Sequence, residues 1–202
     1  MKKFITLALA LCMALSASVC ASAAEIDTDG GSGSTPVYLS STEDGTMEGD
    51  PSATAMSVTV PTALPMAMSQ TGDVTTADNC QIINNSYGAV RVKSVTISAE
   101  NGWSLTAFGD KSTLASEKVD SDQLGFAICI GDGEWAVTDG SNESAQALIS
   151  APISGCYMSG AGNAANNTVS VDYAAIVTPL SSPVTNANIA NVVFVVEWNI
   201  AA

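Results

Sequence analysis

The side chains in this chain that could do chemistry are carboxylates, and they come in pairs. Asp27 with Asp29, Asp120 with Asp122, and Asp132 with Glu134 each set two carboxylates two residues apart among glycine, serine and threonine. Hard cations such as Ca²⁺ favour that oxygen-rich spacing. No EF-hand register is completed, because Gly31 stands at the fifth position after Asp27 and no glutamate closes the loop. No complete metal site is therefore expected; Asp120, Asp122, Asp132 and Glu134 come nearest to one, and solvated acidic loops are the other reading of them. Asp132 and Glu134 are also the nearest approach to the carboxylate pair of a glycosidase. Gly131 and Gly133 around them read better as a solvated turn. With no histidine in 202 residues, Ser-His-Asp and Cys-His catalysis are excluded. Ser-Lys chemistry has only the sequence neighbours Lys93-Ser94 and Lys111-Ser112 to draw on. The expectation is a protein that is not an enzyme and takes no cofactor.

Three tryptophans stand out in a chain that is only 5% aromatic. Trp103 and Trp198 lie beside strand-forming residues, where a core role with a partner for the indole N–H is the plainer reading. Trp135 follows Gly133-Glu134 in a turn and is the one placed to meet a ligand. Five cysteines occur. Cys12 and Cys20 fall in the N-terminal leader, which leaves Cys80, Cys129 and Cys156. Cys129 with Cys156 is the nearest pair and the candidate disulfide; three buried reduced thiols are the alternative. Without a C-x-x-C spacing or a histidine, structural zinc has no support.

The leader itself has the three parts of an export signal. Met1-Lys2-Lys3 is basic, Phe4 to Leu15 is apolar, and Ala21-Ser22-Ala23-Ala24 offers small residues for cleavage. The apolar run is shorter than the ~20 residues a membrane span needs, so residues 1–24 are expected to be removed and no membrane insertion to follow. Loss of Lys2 and Lys3 moves the formal charge from −14 to −16 and leaves Arg91, Lys93, Lys111 and Lys118 as the basic residues. So acidic a surface repels a phosphate backbone, and nucleic acid is not an expected partner.

Residues 25–55 are polar and acidic, with Asp27, Asp29, Glu43, Asp44, Glu48 and Asp50 and no basic residue. Such a segment buries too little apolar surface to offset chain entropy and is expected to be flexible. Pro36-Val37-Tyr38-Leu39-Ser40 departs from this, as a short edge strand on its own domain or on a neighbour's. From Met56 onward, short alternating runs are separated by turn residues. The runs are Met56 to Val60, Leu64 to Met68, Cys80 to Asn84, Ala89 to Ala99, Gly102 to Phe108, Leu124 to Ile130, Glu134 to Val137, Ala151 to Met158 and Thr168 to Thr178. Val90 and Val92 are out of phase with Val95 and Ile97, and a β-bulge at Lys93-Ser94 would return all four to one face. Asn191 to Ile200 is apolar on both parities until Glu197, which predicts a central strand buried on both faces. Ser144 to Ser150 and Asn186 to Asn191 are the thin helical candidates. The fold class is all-β, a single antiparallel β-sandwich over residues 56–202.

Gly102-Trp103-Ser104-Leu105 in mid-domain and Trp198-Asn199-Ile200 near the end of the chain resemble the two W-x-L motifs of the WxL-domain surface proteins of Gram-positive bacteria, with Ile200 where the family has leucine. The resemblance covers residues 56–202. It implies a secreted all-β module held non-covalently on the cell wall, commonly through peptidoglycan, and often acting with other surface proteins. No catalytic residue comes with it. It also implies that Trp103, Leu105, Trp198 and Ile200 carry the wall contact, whereas the residues alone read as core. The alternative function is a structural subunit, a homo-oligomer in which Val37-Tyr38-Leu39 pairs with the edge of the next molecule by strand addition.

Overall fold

Alternating apolar residues between glycine, proline, asparagine and aspartate turns form fourteen strands and one helical turn in the computed structural model, which describes residues 24–39, 55–141 and 143–199. In chain order these are β1 (Ala24–Glu25), β2 (Ser32–Leu39), β3 (Val58–Val60), β4 (Met66–Met68), β5 (Val74–Thr76), β6 (Gln81–Asn84), β7 (Val90–Ala99), β8 (Ser104–Thr106), α1 (Ser112–Ala115), β9 (Gln123–Ile130), β10 (Ala136–Val137), β11 (Ala145–Ile149), β12 (Tyr157–Met158), β13 (Thr168–Val177) and β14 (Ala187–Trp198). One sheet runs β1-β3-β6-β13-β9-β10, with β8 also on β9. The other runs β11-β7-β14-β2, with β12 also on β7, and β4 and β5 make a separate hairpin. Every described pairing is antiparallel except β8 with β9. The chain is thus the all-β antiparallel sandwich its turn spacing predicts.

The two sheets close on one core. Ile82, Phe126, Ile128, Val171 and Tyr173 from the first face Val92, Val95, Ile97, Val192, Phe194 and Val196 from the second, all but Tyr173 fully enclosed. Phe126 and Tyr173 stack with ring centroids 6.1 Å apart. The Tyr173 hydroxyl donates to Pro65 O at 2.6 Å and accepts from Ala77 N at 3.1 Å. A buried phenol thereby satisfies its polar end and ties the β4–β5 hairpin to the first sheet.

The bulge in β7 falls where the phase of the valines requires it. Val195 stands opposite Ser94 and Val196 opposite Val92, so Lys93 is the extra residue. Val90, Val92, Val95 and Ile97 are all at 0% exposure as a result.

β14 lies between β7 and β2, the central place its composition predicts. Burial on both its faces is not observed. Val192, Phe194 and Val196 point into the core, while Val193 and Val195 are only half-buried beside Ser34 and Thr96, and Ser32 and Ser94, respectively. The sheet has one core face, and no second layer of the described residues covers the other. The strand buried on both parities is β9, from Leu124 to Ile130.

The sandwich also begins earlier than residue 56. β2 completes the second sheet along β14, with Leu39 opposite Ala187 and Ser32 opposite Val195. Pro36 is accommodated because an edge strand can spare one N–H. The rest of the acidic segment, residues 40–54, lies outside the described residues, as do residues 1–23, where an export signal is expected, and Ile200. The helical candidates are strands: Ala145–Ile149 is β11, and Asn188 to Asn191 belongs to β14.

Candidate functional site at the aromatic end of the sandwich

β7 is a ruler for the two tryptophan motifs. Trp198 is opposite Val90 at its start, and Trp103 follows the turn after Ala99 at its end, with Trp103 N donating to Glu100 O at 3.0 Å. Ten strand residues at ~3.3 Å each separate the two ends by about 30 Å. The motifs therefore do not converge on one surface. Leu105 is 1% exposed, opposite Leu124, so it is a core residue and not a wall contact. Trp103 and Trp198 are partly buried and pack against the core.

Trp198 locks the end of β14. Its backbone N–H donates to Asp29 Oδ1 at 2.8 Å, and Asn199 N donates to Ala89 O at 2.9 Å. Its ring lies over Gly88 so closely that a Cβ there would meet Cζ3 at 2.8 Å. Glycine at position 88 is therefore part of the seat for the indole.

Around that end three loops raise aromatic side chains into solvent. Tyr87, Trp135 and Tyr157 are 59%, 52% and 47% exposed. Tyr87 sits in the β6–β7 turn, which Asn84 holds by donating from Nδ2 to Gly88 O at 2.8 Å and to Ser159 O at 2.9 Å. Trp135 leads from the Gly131-Asp132-Gly133 turn into β10, and Tyr157 opens β12. The two loops pack backbone to backbone, since a Cβ on Gly131 would meet Gly155 O at 2.8 Å. Gly131 and Gly155 also hold φ of 57° and 88°, a region open to glycine at little cost.

Below the aromatics runs a row of charge across the outer face of the second sheet. Tyr157 is opposite Arg91, and Arg91 is opposite Glu197. Arg91 donates from Nε and Nη2 to Glu197 Oε1, each at 2.7 Å, and Lys93 Nζ reaches Oε2 at 3.0 Å. The bond from Lys93, and then that from Arg91, holds the Glu197 carboxyl below its ordinary range against the opposing effect of burial. Glu197 in turn raises the Arg91 guanidinium, and Tyr157 adds to this. Exposed π faces beside polar groups that are already paired suit stacking against the C–H faces of sugar rings or the apolar side chains of another protein.

Of the acidic pairs, Asp29 and Asp120 each have a carboxylate oxygen in a hydrogen bond to a backbone N–H. Asp120 Oδ1 accepts from Ser181 N at 2.8 Å, and the Ser181 side chain first and this backbone bond second lower its carboxyl. Asp122 lends its backbone carbonyl to Ser104 N at 2.8 Å. Asp132 and Glu134 flank the β9–β10 turn. Among the described residues no three side chains of the histidine, cysteine, aspartate or glutamate types gather to hold a metal.

The Cys129–Cys156 disulfide is not formed: Cys80, Cys129 and Cys156 are buried thiols outside any disulfide. Strand parity gives the reason. Cys156 lies in the core with Phe126, Ile128 and Ile130, whereas Cys129 is on the other parity of β9, outside that cluster. Its thiol donates instead to Gly133 O at 3.2 Å and Gly131 O at 3.7 Å. Burial pushes both thiols up.

The opposite end carries a cleft of about 860 Å³ that sequence reading missed, because residues 67–72, 110–115 and 177–184 come together only in the fold. Met68, Leu180 and Val184 give it apolar walls, and the Lys111–Asp73 ion pair joins the helix side to the hairpin side. No helix of the described residues is long and apolar enough to cross a membrane. Comparison with protein-family models, with curated proteins and with solved structures finds no match.

Proposed function

We propose that the chain is an exported, non-catalytic surface protein that binds cell-wall polymer, peptidoglycan in the first instance, or other surface proteins through the end of the sandwich bearing Tyr87, Trp135 and Tyr157. The carrying observation is that three of the six large hydrophobic side chains exposed among the described residues sit on loops at one end, in a chain poor in aromatics. The W-x-L-like motifs support the wall-associated reading, with their own tryptophans acting in packing and the contact moved to Trp135. Export follows from the leader, and extracellular or wall-associated location from both. A second reading, a structural subunit assembled by strand addition, is favoured by β2 lying at the sheet edge beside β14.

The test is sedimentation of residues 25–202 with washed Gram-positive cell walls. Trp135→Ala, whose ring is half in solvent, should melt with the parent and lose about tenfold in wall affinity, the ~1.4 kcal/mol of one aromatic contact. Retention unchanged by Trp135→Ala, or no sedimentation of the parent, would reject the aromatic end as a wall contact.

A further inference from the structure

We propose that the outer face of the second sheet is where two copies of this chain pair, face to face and with their strands running in opposite directions. Three features of the face carry the pairing, and none depends on what the aromatic end binds.

The first is its surface. The row through its middle is Ala147, Thr96, Val193 and Ser34, and beside it runs the row Ser94, Val195 and Ser32. None of these is charged and none is larger than valine, in a chain with twenty acidic residues. The solvated face of an antiparallel sheet ordinarily carries polar residues in alternation with the apolar ones of the core face. Here the central strand turns Val193 and Val195 outward, and both are half-buried by their small neighbours. No layer of the described residues covers them. A flat face of short side chains is a surface on which a second sheet can lie in contact, as the inner faces of a sandwich do.

The second is the charge at its two ends. At one end Arg91 and Lys93 share the single carboxylate of Glu197, which leaves one positive charge in excess beside the half-exposed Lys93. The Asp29 carboxylate at that end is held by Trp198 N, with β14 between it and Lys93. At the other end of β7 is Glu100, whose Oε1 accepts from Asn191 Nδ2 at 2.7 Å. No ion pair among the described residues neutralises Glu100. Exposed Glu143 adds a carboxylate there, since its neighbour Ser144 accepts from Ala99 N. A twofold axis crossing the strands near Thr96 lays β7 on β7 and brings Lys93 of each copy over Glu100 of the other. The face is thus complementary to itself in charge, as an isologous contact requires.

The third is its extent. From Lys93 to Glu100 is about 26 Å at ~3.3 Å per residue, and the four strands of the sheet path are about 19 Å across. Pairing therefore buries about 1,000 Å² over the two copies, the least that a specific interface needs. A dimer that forms and dissociates with concentration is the expected result. The contact closes on itself and stops at two copies. It also points the two aromatic ends apart, so that one dimer presents two ligand sites at once.

The test is sedimentation velocity of the mature chain, residues 25–202, from about 1 μM to 1 mM, the range in which so small an interface is expected to act. The parent should show a monomer–dimer equilibrium and nothing larger. Val193→Arg, with its side chain on the outer face, should melt with the parent and stay monomeric throughout. Lys93→Glu and Glu100→Lys each set like charges against one another at both crossings of the axis, and each should weaken dimerisation by about tenfold or more. An equimolar mixture of these two variants should dimerise like the parent, because both crossings of the mixed dimer again join opposite charges. The mixture decides the question even if Val193→Arg unfolds, since a loss of stability within either copy would not be repaired by the other. A parent that is monomeric at every concentration, a dimer untouched by a folded Val193→Arg, or a mixture no better than either charge variant alone would overturn the proposal. Species larger than a dimer from the parent would overturn the twofold pairing.

Discussion

Deleting Lys93 tests whether the phase of β7 is held by a single residue. Lys93 is the unpaired residue between Ser94, opposite Val195, and Val92, opposite Val196. Its removal sets Val90, Val92, Val95 and Ile97, all at 0% exposure, two residues apart in one strict alternation, so all four keep the core face with no bulge. Only the half-exposed contact of Lys93 with Glu197 is lost, so the deletion should cost no more than Lys93→Ala, within about 1 kcal/mol. Deleting Thr96 instead sets Val95 beside Ile97, and one of the two must leave the core face whether or not the bulge is kept. That side chain is worth roughly 1.5–3 kcal/mol of burial, out of the roughly 5–15 kcal/mol that stabilises a domain. With a urea slope of about 2 kcal/mol/M, the midpoint of the Thr96 deletion should fall by about 0.7–1.5 M. A Lys93 deletion that lowers the midpoint as far as the Thr96 deletion does would refute the claim that Lys93 is the extra residue of the strand.

Other perturbations read other parts of the structure. Gly88→Ala places a Cβ 2.8 Å from Trp198 Cζ3 and 3.2 Å from Cε3, and should cost about 1–3 kcal/mol by overpacking. In a double-mutant cycle with Trp198→Phe the losses should fail to add by more than ~0.5 kcal/mol, and strict additivity would mean the ring is not seated on residue 88. Glu197 has its folded carboxyl lowered chiefly by Lys93 and then Arg91. Its stabilisation is therefore complete above the unfolded glutamate value of about 4.3 and is lost as pH falls through the lower folded one. Thermal melts should show the parent losing stability more steeply than Glu197→Gln below about pH 4.3, and parallel curves would show that the cluster contributes nothing. Residues 25–202 should release three thiols to a disulfide-exchange reagent after unfolding without reductant, and react slowly when native, because Cys80, Cys129 and Cys156 are buried and in no disulfide. One thiol on unfolding would restore a disulfide.

The period-two pattern, the turn residues and the composition of the last strand were enough to specify a sandwich, the central place of β14, the bulge at Lys93 and the β9–β10 turn at Gly131-Asp132-Gly133. Each is local: a strand's phase is written in its own residues, and a glycine turn in its own backbone freedom. Pro36 and its β-forming neighbours marked an edge strand, but the partner of that strand was not legible, because pairing of residues 32–39 with residues 187–195 depends on long-range closure. The same limit applies to the site. Sequence spacing cannot show that Trp103 and Trp198 stand at opposite ends of β7, that Leu105 turns inward, or that Cys129 and Cys156 lie on different sides of the first sheet's inner face. It could single out Trp135 as turn-borne, but not gather it with Tyr87 and Tyr157. Only the packing of three distant loops does that, and only the fold shows that no layer of the described residues covers the outer face of the second sheet, where Val193 and Val195 stay half-buried on a strand apolar enough to have been enclosed on both faces.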